Sequence, residues 1–135
     1  MIIKPELLHK GDVIGIVSPS HVASVEEYEE IMSRIENMGF HAKAGKNLYK
    51  DTYGYIAAEN ERADDFNEMV NDPAVKMVFF GGGEGSIDLL PLIDYAAVRK
   101  QPKIYVSYSD GTSILNSIYN LSLIHISEPT RQEAI

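Results

Sequence analysis

The sequence predicts an α/β protein in which a parallel sheet carries helices on both faces. Three observations lead there. Short apolar runs at Asp12–Val17, Val75–Phe80 and Ile104–Val106 are nearly continuous and rich in β-branched residues, as in strands buried on both sides. Each run ends in small or turn-forming residues. Each ending leads into a segment with apolar residues three and four apart, the helical spacing. Strands alternating with helices require crossover connections and therefore a parallel sheet.

Taken in order, Leu7–Gly11 is a lead-in with a turn, and Ser18-Pro19-Ser20 closes the first strand. The first helix opens on Ser24 and Glu27, spaced as a capping box. Its apolar face is Val25, Tyr28, Ile31, Ile35 and Met38; Glu26, Glu29, Glu30, Arg34 and Glu36 form a solvated face, and Gly39 stops it. Phe40–Ala44 is a second strand. Tyr49–Ala58 is a loop in which Tyr53 and Tyr55 either line a pocket or pack the loop itself. A second helix spans Glu59–Asn71 with Ala63, Phe66, Met69 and Val70 inward and Arg62, Asp64 and Asp65 as surface charges; Asp72-Pro73 ends it. After the third strand, Ile87, Leu89 and Leu90 carry a helical pattern that Pro91 cuts short. Asp94–Arg99 gives a helical turn before Pro102. Thr112 opens the last helix, with Ile114, Leu115, Ile118 and Tyr119 on its inner face.

Composition narrows the function classes. The 135 residues fit one domain, and 44% of them are hydrophobic, enough for a packed core. Twenty acidic residues against 12 basic ones give a net charge of -8. Phosphate contacts need clustered lysine and arginine, so no nucleic-acid partner is expected, and no anionic membrane surface either. The chain has no cysteine, which excludes disulfides, thiolate catalysis and cysteine metal sites; neither a metal nor a cofactor is expected. Charge and proline arrive by Lys4-Pro5-Glu6, unlike the apolar core of a secretory signal. No apolar run approaches membrane-spanning length. The expected location is cytoplasmic.

Two strand ends carry chemistry. In Ser107-Tyr108-Ser109-Asp110-Gly111 the spacing is small-x-Ser-x-small, that of a nucleophile elbow with one glycine replaced. Ser109 is there either a nucleophile or, with Asp110, a cap for the next helix. Gly81-Gly82-Gly83-Glu84-Gly85-Ser86 places four glycines in five positions between strand and helix. Such a loop either brings backbone N–H groups to a ligand or oxyanion, or makes a tight turn. Its spacing is neither the dinucleotide fingerprint nor a P-loop. If the two strands are neighbours, the loop's N–H groups face the hydroxyl of Ser109, as an oxyanion hole faces a nucleophile.

Several motifs in order resemble one family: Gly54-Tyr55-Ile56-Ala57, Glu61-Arg62-Ala63-Asp64-Asp65, Asp72-Pro73-Ala74-Val75-Lys76, Gly82-Gly83-Glu84-Gly85, Leu89-Leu90-Pro91-Leu92-Ile93-Asp94-Tyr95 and Tyr108-Ser109-Asp110. From Ile14 to Tyr119 the chain resembles the N-terminal half of the LD-carboxypeptidase family of serine peptidases, which includes microcin C self-immunity hydrolases. The resemblance implies a flavodoxin-like (Rossmann-like) N-terminal domain of a two-domain hydrolase. It makes Ser109 the catalytic nucleophile of a Ser-Glu-His triad. It assigns the oxyanion hole to the backbone N–H groups of Asp110 and Gly83, with Gly82, Glu84 and Gly85 in the substrate loop. The implied substrate is a peptide or muropeptide, cut at an L-to-D bond before a C-terminal D-amino acid during peptidoglycan recycling. Immunity members instead cleave an amide in a toxic peptidyl nucleotide. A non-catalytic domain binding a small anion is the reading from another class. A homodimer is an expectation for the full-length protein. Two residues depart from the family pattern: Gly81 stands where many members have arginine, which bears on substrate preference, and Ser107 where they have glycine.

The family supplies its glutamate and histidine from a C-terminal domain. Here the histidines are His9, His21, His41 and His125, and none sits in a matching motif. The expected organisation is therefore a nucleophile-bearing domain over 1–121 without the C-terminal domain, inactive as a peptidase on its own. Residues 122–135 do not continue the family pattern. Ser122 to Gln132 resembles translated sequencing-adapter DNA, so 122–135 is expected to be a non-native tail.

Overall fold

The computed structural model describes residues 5–20, 24–54, 56–81, 85–107 and 109–120, Ser109 as backbone alone. Strands β1 (Val13–Val17), β2 (His41–Ala44), β3 (Val75–Phe80) and β4 (Ile104–Val106) form one sheet in the order β2-β1-β3-β4. Every pairing is parallel, with Ile14 opposite Ala42 and Met77, and Met77 opposite Ile104. α1 (Val25–Asn37) connects β1 to β2, and α2 (Glu59–Asn71) connects β2 to β3. A 3-10 helix (Ser86–Leu92) and α3 (Tyr95–Lys100) connect β3 to β4, and α4 (Thr112–Tyr119) follows.

Side chains alternate along each strand, so the sheet feeds two cores. Ile14 and Ile16 meet Tyr28 and Ile35 of α1 together with Leu48. Val17, Val78, Phe80 and Tyr105 face the other way, against Phe66, Met69 and Val70 of α2, Val98 of α3, and Ile114, Leu115 and Ile118 of α4. Helices thus cover both faces, as the sequence predicts.

The helix ends follow local chemistry. The Ser24 hydroxyl accepts the Glu27 N–H at 3.2 Å, capping α1. Gly39 leaves that helix at φ 96°. The Asp94 carboxylate accepts the Ala97 N–H at 3.1 Å and caps α3. Where a helical pattern was expected around Ile87–Leu90, the chain forms the 3-10 helix, because Pro91 within it lacks an N–H to donate.

Two apolar faces are narrower than their periodicity suggests. Val25 and Met38 are exposed at the ends of α1, which overhangs strands of five and four residues. Tyr119 is exposed rather than inward. At 100° per residue it lies about 90° from the centre of the stripe made by Ile114, Leu115 and Ile118. Tyr53 is exposed as well and donates its hydroxyl to Glu59 at 3.2 Å; Tyr55 lies outside the described residues. No helix among the described residues is long and apolar enough to cross a membrane.

Candidate functional site

Strand order reverses between β1 and β3: β1 continues outward to β2, while β3 continues to β4. Open α/β sheets bind ligands at such a switch point, beyond the carboxyl ends of the strands. Three loops have described residues there: Ser18-Pro19-Ser20 after β1, Gly81 and Gly85-Ser86 after β3, and Ser107 with Ser109 to Gly111 after β4. β3 and β4 pair directly, and Ser86, after β3, bonds Asp110 of the Ser109 turn.

Asp110 draws all three loops together. Its Oδ2 accepts the Ser20 hydroxyl at 2.8 Å and the Ser86 N–H at 2.9 Å. Its backbone carbonyl accepts the Ser86 hydroxyl at 2.7 Å. Ser20 and Ser86 are both buried, so these bonds are shielded from competing water. Burial pushes the Asp110 carboxyl up, but the Ser86 N–H, the Ser20 and Ser86 hydroxyls and the charge of Arg62 outweigh it. The group sits below the ordinary carboxylate range and is ionised at neutral pH.

Arg62 of α2 lies behind these loops, 4% exposed. Its Nε donates to the Ala57 carbonyl at 2.9 Å. One terminal nitrogen donates to the carbonyls of Pro19 at 2.7 Å and Gly85 at 2.9 Å. Arg62 was expected on the surface. Its burial is compensated because its fork donates to three backbone carbonyls, those of Ala57, Pro19 and Gly85.

Ser109 opens a short 3-10 turn, Ser109–Gly111, leading into α4. The residue expected to be the nucleophile is thus at a strand's carboxyl end and a helix's start. Gly85 takes φ 98°, a left-handed conformation that favours glycine, and caps the following 3-10 helix. Gly82, Gly83, Glu84 and Tyr108 lie outside the described residues. Ser20 and Ser86 were legible as small polar residues at strand ends, but their shared partner was not.

The described histidines sit at the other end of the sheet. His41 begins β2, and the His9 N–H bonds Asp12 just before β1. Neither reaches the carboxyl ends where Ser109 lies. His21 and His125 lie outside the described residues, as does the segment 121–135. Among the described residues no group of three or more His, Cys, Asp or Glu side chains is arranged to hold a metal ion.

Comparison with known proteins gives a consistent set of likenesses. A family model described as the LD-carboxypeptidase N-terminal domain matches residues 14–127. A probable murein peptide carboxypeptidase of Bacillus subtilis (strain 168) is 35% identical over 129 residues, 93% of this chain and 40% of that protein. The microcin C7 self-immunity protein MccF of Escherichia coli is 36% identical over 113 residues, 81% of this chain and 33% of that protein. The crystal structure of an MccF-like protein from Bacillus anthracis strain Ames superposes with a TM-score of 0.84 at 31% identity, covering 93% of this chain and 40% of the other. The chain spans about 40% or less of the length of these proteins.

Proposed function

We propose, from the premise that the chain belongs to the LD-carboxypeptidase family through its N-terminal domain, that it carries the nucleophile half of a cytoplasmic serine carboxypeptidase. The reaction is hydrolysis of an L-to-D peptide bond, releasing a C-terminal D-amino acid from a murein-type peptide. One observation carries this reading: Asp110, the residue after Ser109, is bonded at once by the loops after β1 and β3. The Ser109 turn is therefore fixed at the switch point, and a nucleophile gains rate from such fixed placement.

In the mechanism, the Ser109 hydroxyl attacks the scissile carbonyl carbon as its proton passes to a general base. The tetrahedral intermediate expels the D-amino acid's amine, which takes that proton, and water then hydrolyses the acyl-serine. The base and its orienting carboxylate come from the part of the relatives that this chain does not span. The backbone N–H groups of Asp110 and Gly83 hold the oxyanion; one such donor is worth roughly 100- to 1000-fold in kcat.

The test is hydrolysis of a tetrapeptide ending in L-to-D-linked D-alanine by the full-length protein. Release of D-alanine, abolished in Ser109→Ala with an unchanged melting temperature, is the expected result. Release that persists in Ser109→Ala removes the proposal. The likeness to a self-immunity protein favours a second reading on the same scaffold, amide cleavage in an aminoacyl nucleotide. An aminoacyl sulfamoyl nucleoside offered beside the tetrapeptide separates the two.

A further inference from the structure

We infer that Arg62, acting with Ser20 and Ser86, is a positioning device that locks the Ser109 turn in register with the loops after β1 and β3. The inference rests on the reading of Ser109 as nucleophile and assigns roles to residues that do not touch the reacting atoms.

A single peptide unit, Gly85-Ser86, joins Arg62 to Asp110. The carbonyl of Gly85 accepts from the Arg62 guanidinium at 2.9 Å. The N–H of the same unit, belonging to Ser86, donates to the Asp110 carboxylate at 2.9 Å. A cation thus lies at the oxygen end of the peptide dipole and an anion at its N–H end. Both bonds are charge-assisted and each polarises the unit in the sense that strengthens the other.

The loop after β1 repeats the pattern one residue at a time. The Pro19 carbonyl accepts from the same Arg62 nitrogen at 2.7 Å. The adjoining Ser20 hydroxyl donates to the same Asp110 oxygen at 2.8 Å. Two routes therefore run from Arg62 to Asp110, one through Pro19-Ser20 and one through Gly85-Ser86. They close a ring that the Ser86 hydroxyl reinforces at the Asp110 carbonyl.

A buried guanidinium has a large desolvation cost. Tying a loop to a helix needs no charge; a neutral donor would satisfy the Ala57 carbonyl alone. What the arginine adds is a planar fork with donors enough for three carbonyls and a permanent charge facing Asp110 across one peptide unit. The ring ends on the residue next to Ser109, so its distortion is transmitted to the nucleophile turn. Displacing a reacting group by about 1 Å costs on the order of 100-fold in rate.

The test is steady-state kinetics on the full-length protein with the D-alanine-terminated tetrapeptide, read as kcat and KM separately. Ser20→Ala is expected to lower kcat roughly 10-fold and Arg62→Met roughly 100-fold, both with KM within about 2-fold. Arg62→Lys, which keeps the charge but loses the fork, falls between them. Labelling of Ser109 by a fluorophosphonate slows in the same order. The inference is overturned if hydrolysis depends on Ser109 while both Ser20→Ala and Arg62→Met keep kcat within about 2-fold, or if their losses lie in KM. If Arg62→Met does not melt cooperatively, Ser20→Ala decides alone. Hydrolysis that survives Ser109→Ala sinks the nucleophile reading instead, which is a different outcome.

Discussion

At the scale of single residues, the turn after β4 shows why both flanks of Ser109 are small. A Cβ added to Gly111 would collide with the Ser107 hydroxyl, and would lie 3.0 Å from the Ser107 Cβ and 3.1 Å from Phe80 Cδ2. Gly111 has φ -61°, so it is glycine for space and not for conformation. Gly111→Ala should destabilise the chain by about 1–3 kcal/mol through overpacking. Ser107→Gly removes the two nearest clashes, so the double variant should recover more than half of that loss, a coupling that urea unfolding of the four-member cycle measures. Strictly additive losses would show that the two flanks do not share the space. Tyr105 makes the complementary case. It is fully buried, it stacks on Phe66 with ring centres 6.0 Å apart, and its hydroxyl finds no partner among the described residues. Burial alone drives its ionisation far above the ordinary tyrosine range. Deleting an unpaired buried hydroxyl should cost nothing and recover up to about 1–3 kcal/mol, so Tyr105→Phe is expected to raise the urea midpoint; a lower midpoint would mean that the hydroxyl is satisfied. The small-x-Ser-x-small spacing was legible in the sequence, but the collision that enforces it was not, since it depends on how the turn folds Gly111 back onto Ser107, with Phe80 of a neighbouring strand behind them.

At the scale of elements, α2 separates what periodicity can reveal from what it cannot. Ala63, Phe66, Met69 and Val70 are buried as their spacing predicts, because apolar residues on one face declare themselves without knowledge of the partner. Arg62 and Asp65 are buried too, against the expectation of surface charges, while Asp64 is exposed. Their partners lie in the loops of residues 45–58 and at the strand ends, and a helical wheel carries no record of either. Asp65 accepts the Asn47 N–H and the Asn47 side-chain amide, each at 2.9 Å, one on each carboxylate oxygen. At the helix start Glu61 gathers Lys50, Thr52 and the Ala58 N–H. α2 therefore holds the loop before it as well as packing on the sheet. Both Asp65 oxygens face donors, so Asp65→Asn turns one acceptor into a donor pointed at a donor. The expected loss is about 1–3 kcal/mol despite equal size, read as a lower melting temperature. Asp64→Asn on the exposed side should change it little. Equal effects at the two positions would refute the packing argument.

At the scale of the whole molecule, the alternation of strands and helices was legible, and with it a parallel sheet, because each crossover leaves its own signature of period and turn. The order of the strands was not: no local pattern says that β3 lies between β1 and β4, so the facing of the glycine run and the Ser109 turn stood in the sequence only as a condition on that order. The same order decides how the molecule responds to acid. Asp110 is held below its ordinary value against burial by bonds from two neighbouring loops and by Arg62. The Lys43 ammonium and the Ala74 N–H hold Asp72 down, and Lys50, Thr52 and Ala58 hold Glu61 down to about 2. A carboxyl lowered by folding contributes stability that is complete above its unfolded value and is lost as pH falls through its folded value. Asp65 acts in the opposite sense: burial raises it, so its ionised form carries a cost that disappears as it protonates. The chain also bears a net charge of -8 at neutral pH, whose self-repulsion eases on mild acidification. The two tendencies act in different windows. Above the ordinary carboxylate range relief at Asp65 and of net charge should hold the urea midpoint level or raise it slightly, and within and below that range protonation of Asp110, Asp72 and Glu61 should lower it steeply. Asp110→Asn and Glu61→Gln, each lacking a group to protonate, should have shallower acid limbs than the parent chain, while Asp65→Asn should lose its share of the mild gain above the ordinary carboxylate range. A midpoint that climbs without a break down to about pH 3 would mean that the three lowered carboxylates contribute less to the fold than the repulsion they create.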